Sequence, residues 1–390
     1  MIHRPQAHHV DVRPPRFSRI LNQRHLHNAW TRYRSEVVRD GVERWQEFEG
    51  EWKRWLSTFT ARDRATCAYG CWDLSKPGGG TRRIYRFPVE EKILHRAVAE
   101  ALRPVAEKTL SPGCFAYREK HTTLGAVWHL LDRLETRRYL VRLDIARCFD
   151  SISHAQLFAS LEKAGVDPEL RQAIAWLLQR FPPDPGSGTG LPQGSPLSPM
   201  LSNFALSPFD HAIAKAGFPF MRYADDVAIG VSHCSEGEEV FVRAGRCLKQ
   251  MGLQLNSSKS GVMPVAEAEC LGFAFRRSYG GRWAPAVSPW NIELALQRVA
   301  EILQDHNAGL ASRIIETAWQ EWLAHYGKSG DREGLAAFRD GLIQLLPHRS
   351  PCKPQLSMPG EKPRRWRGKS GLRLGLLGYD GRVRTARIRH

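Results

Sequence analysis

Two adjacent carboxylates, Asp225 and Asp226, stand between two short apolar runs of the sequence. Phe220 and Met221 precede them and residues 227–229 (Val-Ala-Ile) follow, a pattern that predicts two β-strands joined by a tight turn. Adjacent carboxylates repel each other, and a divalent cation, which prefers oxygen ligands, offsets such repulsion. An ordinary acidic surface turn is the alternative. The apolar flanks favour a buried hairpin that carries the acids near a metal ion.

A third acid, Asp144, interrupts an apolar run in which Leu140, Val141, Leu143 and Ile145 predict a central β-strand. A carboxylate inside such a strand is costly unless it is paired or bound to a metal ion. Pairing with Arg142 or Arg147 is one way to meet that cost. The other is a shared site in which Asp144 and the acid pair hold two Mg²⁺ ions about 3.5–4 Å apart, an arrangement that supports phosphoryl transfer.

Five motifs follow one another along the middle of the chain. They are Leu143-Asp-Ile-Ala-Arg-Cys-Phe-Asp-Ser-Ile-Ser-His154, Gly190-Leu-Pro-Gln-Gly-Ser-Pro-Leu-Ser-Pro-Met-Leu-Ser-Asn203, Tyr223-Ala-Asp-Asp226, Gly252-Leu-Gln-Leu-Asn-Ser-Ser-Lys-Ser260 and Glu269-Cys-Leu-Gly-Phe-Ala-Phe275. In type and order they resemble the palm motifs of bacterial reverse transcriptases of the group II intron-like, maturase-type lineage. The resemblance runs roughly from Trp72 to Gly327. It implies an RNA-directed DNA polymerase that extends a 3′-hydroxyl with dNTPs.

The resemblance also implies roles for individual residues. It makes Asp144, Asp225 and Asp226 the catalytic residues and places metal ligands at these acids and at Ile145, with two Mg²⁺ ions as cofactor and Mn²⁺ as a substitute. It implies a primer grip at Gly272 and Phe273. The positions that match nucleotide-binding residues are Lys76, Arg82 (with Arg83 as a one-residue alternative), Arg118, Phe149, Gln193, Gly194 and Lys259.

Some of these roles have open alternatives. Phe149 matches the aromatic residue that lies under the sugar and excludes a 2′-hydroxyl, but a core aromatic beside the strand would look the same. Lys259 matches a basic residue near the triphosphate and is otherwise a solvated surface lysine. Around Arg118 the usual Gly-Arg-Ser of the family is replaced by residues 120–122 (Lys-His-Thr). That departure makes Arg118 the safer match in this motif.

The fold class that follows is α+β, a right-hand polymerase with fingers, palm and a three-helix maturase-type thumb. Three apolar stripes at helical spacing after the palm predict the thumb helices. The predicted organisation is a basic helical N-terminal extension at 1–70, fingers at 71–135, palm at 136–280, thumb at 281–347 and a basic tail at 348–390.

Composition favours a polyanionic partner. The chain has 57 Lys and Arg against 40 Asp and Glu, a net charge of +17, and a pI near 9.8, which is typical of nucleic-acid-binding proteins. A basic membrane-surface protein would share this charge, but no apolar stretch has the length of a membrane span. The scattered cysteines favour neither disulfides nor a zinc site. We therefore expect a bacterial cytoplasmic protein whose partners are an RNA template, a DNA product and dNTPs.

The segment after the predicted thumb lacks a His/Cys cluster, so no zinc-containing endonuclease is expected there. Such a short form resembles host-adopted reverse transcriptases. Antiphage defence with a dedicated noncoding RNA is the favoured role, and CRISPR spacer acquisition is the alternative; either would need accessory proteins, and an oligomer is compatible with both. A splicing maturase and a non-templated or protein-primed DNA polymerase remain further alternatives. Intact acids at the three catalytic positions argue against a chain used only for binding RNA.

Overall fold

The computed structural model describes residues 21–40, 45–58, 70–75, 81–180, 188–278, 280–306, 308–346, 354, 356–360, 374 and 376. The chain divides into two units, each assembled from three segments. The first comprises Met1–Glu119, Asp144–Ala216 and Arg243–Asn256. The second comprises Lys120–Leu143, Gly217–Val242 and Ser257–His390.

Both helices and strands are present, as the α+β prediction requires. The helices are α1 (Gln23–Asp40), α2 (Trp45–Thr58), α3 (Val89–Thr109), α4 (Thr123–Leu134), α5 (Cys148–Ser151), α6 (His154–Lys163), α7 (Pro168–Arg180), α8 (Ser198–Lys215), α9 (Cys234–Gln250), α10 (Pro289–Gln304), α11 (Ala308–Tyr326) and α12 (Arg332–Gln344). The strands are β1 (Gly70–Ser75), β2 (Thr81–Arg86), β3 (Tyr139–Ala146), β4 (Phe220–Tyr223), β5 (Asp226–Val231), β6 (Gln254–Leu255), β7 (Gly261–Pro264), β8 (Glu269–Cys270), β9 (Phe273–Arg277) and β10 (Trp283–Val287).

Helix α3 is central to the first unit. It packs against α1, α7 and α8, and its apolar face is fully buried at Ile93, Leu94, Val98 and Leu102. At its N-terminal end the Glu91 carboxylate pairs with Arg180 of α7 at 2.6 Å, with both side chains almost fully buried. A buried charge is costly unless it is paired, so this contact fixes the two helices relative to each other. In the same unit β1 and β2 form an antiparallel hairpin.

The main sheet has the strand order β4-β5-β3-β6, with β7 also paired to β3. Strand β3 begins in the second unit, where it pairs antiparallel with β7 from Tyr139↔Pro264 to Arg142↔Gly261. It ends in the first unit, where Ile145 pairs with Leu255 of β6. In the second unit α4 packs against β4, β5 and β10. The central strand predicted around Asp144 is confirmed.

Helices α10, α11 and α12 of the second unit pack pairwise against one another. Their contact surfaces are aromatic: Trp319, Trp322, Tyr326 and Phe338 are fully buried, and the rings of Trp322 and Phe338 stack with centroids 4.0 Å apart. Burial of such large side chains dominates the stability of a helical cluster. Three helices in this region agree with the prediction, while their role as a polymerase thumb stays a proposal.

Residues from the segment after α12 contact α11. The backbone N–H groups of Leu374 and Leu376 donate to the two carboxylate oxygens of Glu321 at 2.7 and 2.8 Å, and both leucine side chains are buried. These contacts attach the predicted basic tail to the helical cluster at residues 374 and 376. Among the described residues no helix combines the length and the apolar character of a membrane span.

Candidate active site

The acid pair lies at the turn of the predicted hairpin. Tyr223 of β4 is the register partner of Asp226 of β5, so Ala224 and Asp225 form a two-residue turn. Ala224 has a φ of +59°, the sign that a type II′ hairpin turn requires at its first central position, where glycine is preferred. An alanine in this conformation stores backbone strain of about 1–2 kcal/mol. Such strain is concentrated at functional sites.

A buried cation stands next to the acid pair. Arg222 is fully buried on β4, and its guanidinium donates to the carbonyl oxygen of Ala224 at 3.0 Å. This bond ties the strained turn to its own strand and brings a positive charge to the residue before Asp225. The charge offsets part of the repulsion between the two carboxylates. The hairpin is thus buried at its flanks, as predicted, and half-exposed at its acids.

A small concavity in the second unit opens beside the acid pair. Arg142, Asp226, Val227, Cys270 and Leu271 are among the residues that line it. The hairpin that carries the acids therefore borders the same space as Leu271, the residue before the predicted primer grip. Arg142 is the basic residue among those that line that space.

Asp144 belongs to the first unit, where it lies near the end of β3 and is half-buried. Its backbone carbonyl accepts a hydrogen bond from the Asn256 N–H at 2.8 Å. The next residue, Ile145, is a buried register partner of Leu255. Pairing with β6 thus fixes the backbone at both positions that the resemblance assigns to metal binding on this strand.

The loop between α7 and α8 contacts the segment that follows β3. The Leu191 N–H donates to the carbonyl oxygen of Phe149 at 2.7 Å, and the Gln193 side-chain amide donates to the Asp150 carboxylate at 3.1 Å. Phe149 itself is half-buried on the short helix α5. The structure therefore brings together Phe149 and Gln193, two of the residues predicted to bind the nucleotide.

Gly194 lies against the strand β2. The backbone N–H of Tyr85 donates to the Gln193 carbonyl at 2.7 Å. A Cβ atom added to Gly194 would lie 2.2 Å from the Tyr85 carbonyl oxygen, and Gly194 also has a φ of +112°. Only glycine tolerates both conditions. We refer to residues 190–198, which include Gln193 and Gly194, as the pocket loop.

Two neighbouring arginines of the β1–β2 hairpin, Arg82 and Arg83, differ in their contacts. Arg83 pairs with Asp73 across the hairpin at 3.1 Å, and this hydrogen bond is the main cause of a raised pKa for the Arg83 guanidinium. Arg82 is exposed, and no ion pair is found for it among the described residues. Arg82 is therefore the better candidate for a phosphate ligand. Lys76, the other residue predicted to bind phosphate in this hairpin, lies outside the described residues.

Arg118 and Lys259 differ in their surroundings. The Arg118 guanidinium pairs with Glu107 at 2.7 Å and donates to the carbonyls of Ser111 and Cys114 at 3.2 and 2.9 Å. These bonds hold the loop that carries Arg118 against α3. A nucleotide contact by Arg118 therefore stays a prediction. Lys259 is exposed in the turn between β6 and β7 and has its ammonium group available for an anion.

The predicted primer grip is held by two helices of the second unit. Leu271 and Gly272, with φ of +54° and +84°, form a two-residue turn between β8 and β9. The Gly272 carbonyl accepts hydrogen bonds from the Tyr326 hydroxyl at 2.9 Å and the Asn291 amide at 3.3 Å. Phe273 packs edge-on against Tyr326, with ring centroids 5.0 Å apart. Helices α10 and α11 therefore position this turn.

We expect Tyr326→Phe to destabilise the protein by about 1–2 kcal/mol, because the change removes the hydroxyl that donates to Gly272 and leaves the ring packing intact. The free energy of unfolding in urea measures this effect. The exposed and unrelated hydroxyl removal Ser257→Ala is the control. An unfolding free energy equal to that of the wild type would contradict the assigned hydrogen bonds.

Several residues of the site were not predicted from the sequence: Tyr85, Asp150, Arg222, Asn291 and Tyr326. Most are joined to the site by contacts between distant parts of the chain, for which a single sequence offers no signal. Arg222 is the exception. A charged residue inside the apolar run of β4 is costly unless it is paired, and that cost could have marked it.

The donor set of the acid pair suits a hard divalent cation. Mg²⁺ is commonly bound through one or two carboxylates together with water and substrate phosphates, and Asp225 and Asp226 supply two carboxylates on one turn. Among the described residues no three His, Cys, Asp or Glu side chains are grouped as ligands of one ion. A cation at the pair would therefore complete its shell with water, main-chain oxygens or a bound phosphate.

The family model described as "Reverse transcriptase (RNA-dependent DNA polymerase)" matches residues 74–275. The match covers more than half of the chain and includes all three predicted catalytic acids. The protein therefore belongs to the reverse transcriptase family. The palm-type region expected from the five motifs is confirmed by this match.

The individual relatives have low sequence identity to this chain. The chain is 26% identical over 145 residues to the putative COX1/OXI3 intron 1 protein of Saccharomyces cerevisiae, covering 36% of this chain and 17% of that protein. It is 24% identical over 312 residues to the retron Mx65 reverse transcriptase of Myxococcus xanthus, covering 76% of this chain and 65% of that protein. The retron Ec73 reverse transcriptase of Escherichia coli is 23% identical over 196 residues, 46% of this chain and 59% of its own length.

Proposed function

We propose that the protein is an RNA-directed DNA polymerase that extends a primer 3′-hydroxyl with dNTPs by two-metal nucleotidyl transfer. The observation that carries this proposal is the family match across residues 74–275, which includes Asp144, Asp225 and Asp226. A composition with a net charge of +17 suits a polyanionic template and product.

In this proposal each group of residues has a separate task. The three acids hold two Mg²⁺ ions, which when bound activate the 3′-hydroxyl and stabilise the charge on the triphosphate and the leaving pyrophosphate. Arg82 and Lys259, both exposed cations, bind the triphosphate. The pocket loop holds the base and sugar, and the turn at Gly272 and Phe273 supports the primer end. Polymerisation needs little covalent help from the protein beyond such positioning and charge stabilisation.

A primer-extension assay tests the proposal. Purified protein, a defined RNA template with an annealed DNA primer, dNTPs and Mg²⁺ should yield a product that reaches the template end. The Asp225→Ala/Asp226→Ala protein should yield none. Extension by the double variant at the wild-type rate would exclude these acids as the catalytic residues, and a wild type without extension on any RNA template would exclude the activity.

Phe149 is the proposed steric gate against ribonucleotides, because it matches the family aromatic and its backbone carbonyl bonds to the pocket loop. We expect Phe149→Ala to raise incorporation of rNTPs relative to dNTPs by on the order of tenfold or more, since the side chain that excludes the 2′-hydroxyl is removed. Competition between dCTP and CTP in single-nucleotide extension measures the ratio. Phe149→Tyr keeps the ring and should retain discrimination; an unchanged ratio in Phe149→Ala would place the gate elsewhere.

For the biological role we propose antiphage defence with a dedicated noncoding RNA as template, in a bacterial cytoplasm. Similarity to two retron reverse transcriptases, one of them across 76% of this chain, supports a dedicated template. The intron proteins among the relatives keep the splicing maturase as an alternative. Sequencing the RNA that copurifies with the protein, together with DNA products made in cells, separates these roles. One abundant RNA matching the products is the expected result, whereas products that match no bound RNA would favour non-templated synthesis.

A further inference from the structure

A buried histidine of helix α3 contacts the pocket loop. His95 of α3 is 1% exposed, and its Nδ1 atom lies 2.6 Å from the Oγ atom of Ser195, the residue after Gly194. Ser195 is also buried and accepts the backbone N–H of Leu197 at 3.1 Å. His95 has no part in the chemistry described above, and Ser195 enters it only as a member of the pocket loop.

The protonation state of His95 follows from its surroundings. Burial, and to a lesser degree the nearby Arg180 guanidinium, lower the pKa of the imidazole to about 3. The ring is therefore neutral under ordinary conditions. Ser195 has one hydroxyl hydrogen, and donating it to Nδ1 gives that hydrogen an acceptor and places the ring proton on Nε2. Phe87, the residue after β2, packs on the ring with centroids 5.2 Å apart.

Further hydrogen bonds hold the pocket loop in addition to the contact between His95 and Ser195. The Ser198 hydroxyl donates to the Pro192 carbonyl at 2.8 Å, and Tyr85 donates to the Gln193 carbonyl. Gln193 and Gly194 are thus fixed from the strand β2 on one side and, through Ser195, from the helix α3 on the other. Removal of one buried partner leaves the other unsatisfied, which costs more than the bond itself contributes.

We propose that His95 is a positioning residue for the nucleotide pocket. As a neutral acceptor for the Ser195 hydroxyl, it fixes the position of Gln193 and Gly194 in the pocket loop, which contacts the segment of Phe149. The inference rests on the proposed function, because it assigns these loop residues to the incoming nucleotide. It concerns a residue that contacts the loop and not the substrate.

Four variants test the proposal. His95→Leu and Ser195→Ala remove the bond, His95→Gln retains an acceptor for the hydroxyl, and Leu102→Ala is a fully buried control on the same helix. In single-nucleotide extension on poly(rA)/oligo(dT), His95→Leu and Ser195→Ala should raise KM for dTTP by about tenfold, the effect of one lost buried hydrogen bond. They should also lower discrimination against UTP and leave affinity for the primer–template unchanged. His95→Gln should restore most of the loss, and Leu102→Ala should change stability alone.

Hydrogen exchange supplies a readout independent of activity. His95→Leu should speed amide exchange in the pocket loop, and His95→Gln should not. If the wild type incorporates no nucleotide, the proposed function fails, while exchange still tests the contact between His95 and the loop. Unchanged exchange in His95→Leu would overturn the proposal. Faster exchange with unchanged KM and discrimination would also overturn it, because His95 would then be structural only.

Discussion

Asp225→Asn is expected to lower the rate of nucleotide incorporation about a thousandfold or more. The change removes one carboxylate from the metal-binding pair, and loss of a few kcal/mol of transition-state stabilisation corresponds to this factor. Single-turnover extension on an RNA template measures it. Asp340→Asn, an exposed and unrelated acid on α12, is the matched control and should retain the wild-type rate. A variant Asp225→Asn within tenfold of the wild type would contradict the assignment.

The same variant has an expected effect on stability. Two adjacent carboxylates on one turn repel each other without a cation, so Asp225→Asn should unfold at the same or a slightly higher temperature in the presence of EDTA. Added Mg²⁺ should raise the Tm of the wild type by mass action and leave that of the variant nearly unchanged. Equal Mg²⁺ responses of both proteins would show that the cation binds elsewhere.

Gly194→Ala should have the second largest effect. The added Cβ atom would lie 2.2 Å from the Tyr85 carbonyl oxygen, which is backbone of a paired strand and cannot move aside cheaply. We expect a loss of about 2–4 kcal/mol in the free energy of unfolding from the clash and the positive φ together. Incorporation of dNTPs should fall about a hundredfold or more, because the pocket loop must shift to relieve the clash.

Gly217→Ala separates the two causes. Gly217 also has a positive φ, of +80°, but a Cβ atom there would meet nothing within 4 Å. Its substitution should therefore cost only the backbone strain, about 1 kcal/mol, and leave incorporation unchanged. If Gly194→Ala behaves like Gly217→Ala in urea unfolding and in extension, the close approach of Gly194 to Tyr85 affects neither stability nor incorporation.

The local features of the site could be predicted from the sequence. Short apolar runs on both sides of the acid pair predict the hairpin, and the run through Asp144 predicts a central strand, because such runs are a local property of the sequence. What the family resemblance adds is the role of each position, which no local pattern contains.

Long-range contacts could not be predicted in this way. His95 and Ser195 are 100 positions apart in the chain, and no spacing rule joins them. Gly194 was expected only as a match to a nucleotide-binding position, and the structure adds that its missing side chain makes room for the Tyr85 backbone. Arg118 was expected near the nucleotide, yet its bonds to Glu107 were not foreseeable without the tertiary structure.

The most direct test of the central claim is the sequence of the DNA that the protein makes. Two RNA templates should be offered with the same primer, identical except for one internal block of altered sequence. The account predicts two products, each complementary to its own template across that block, with dNTPs and Mg²⁺ as the only additions. Products that are identical for both templates would contradict RNA-directed synthesis.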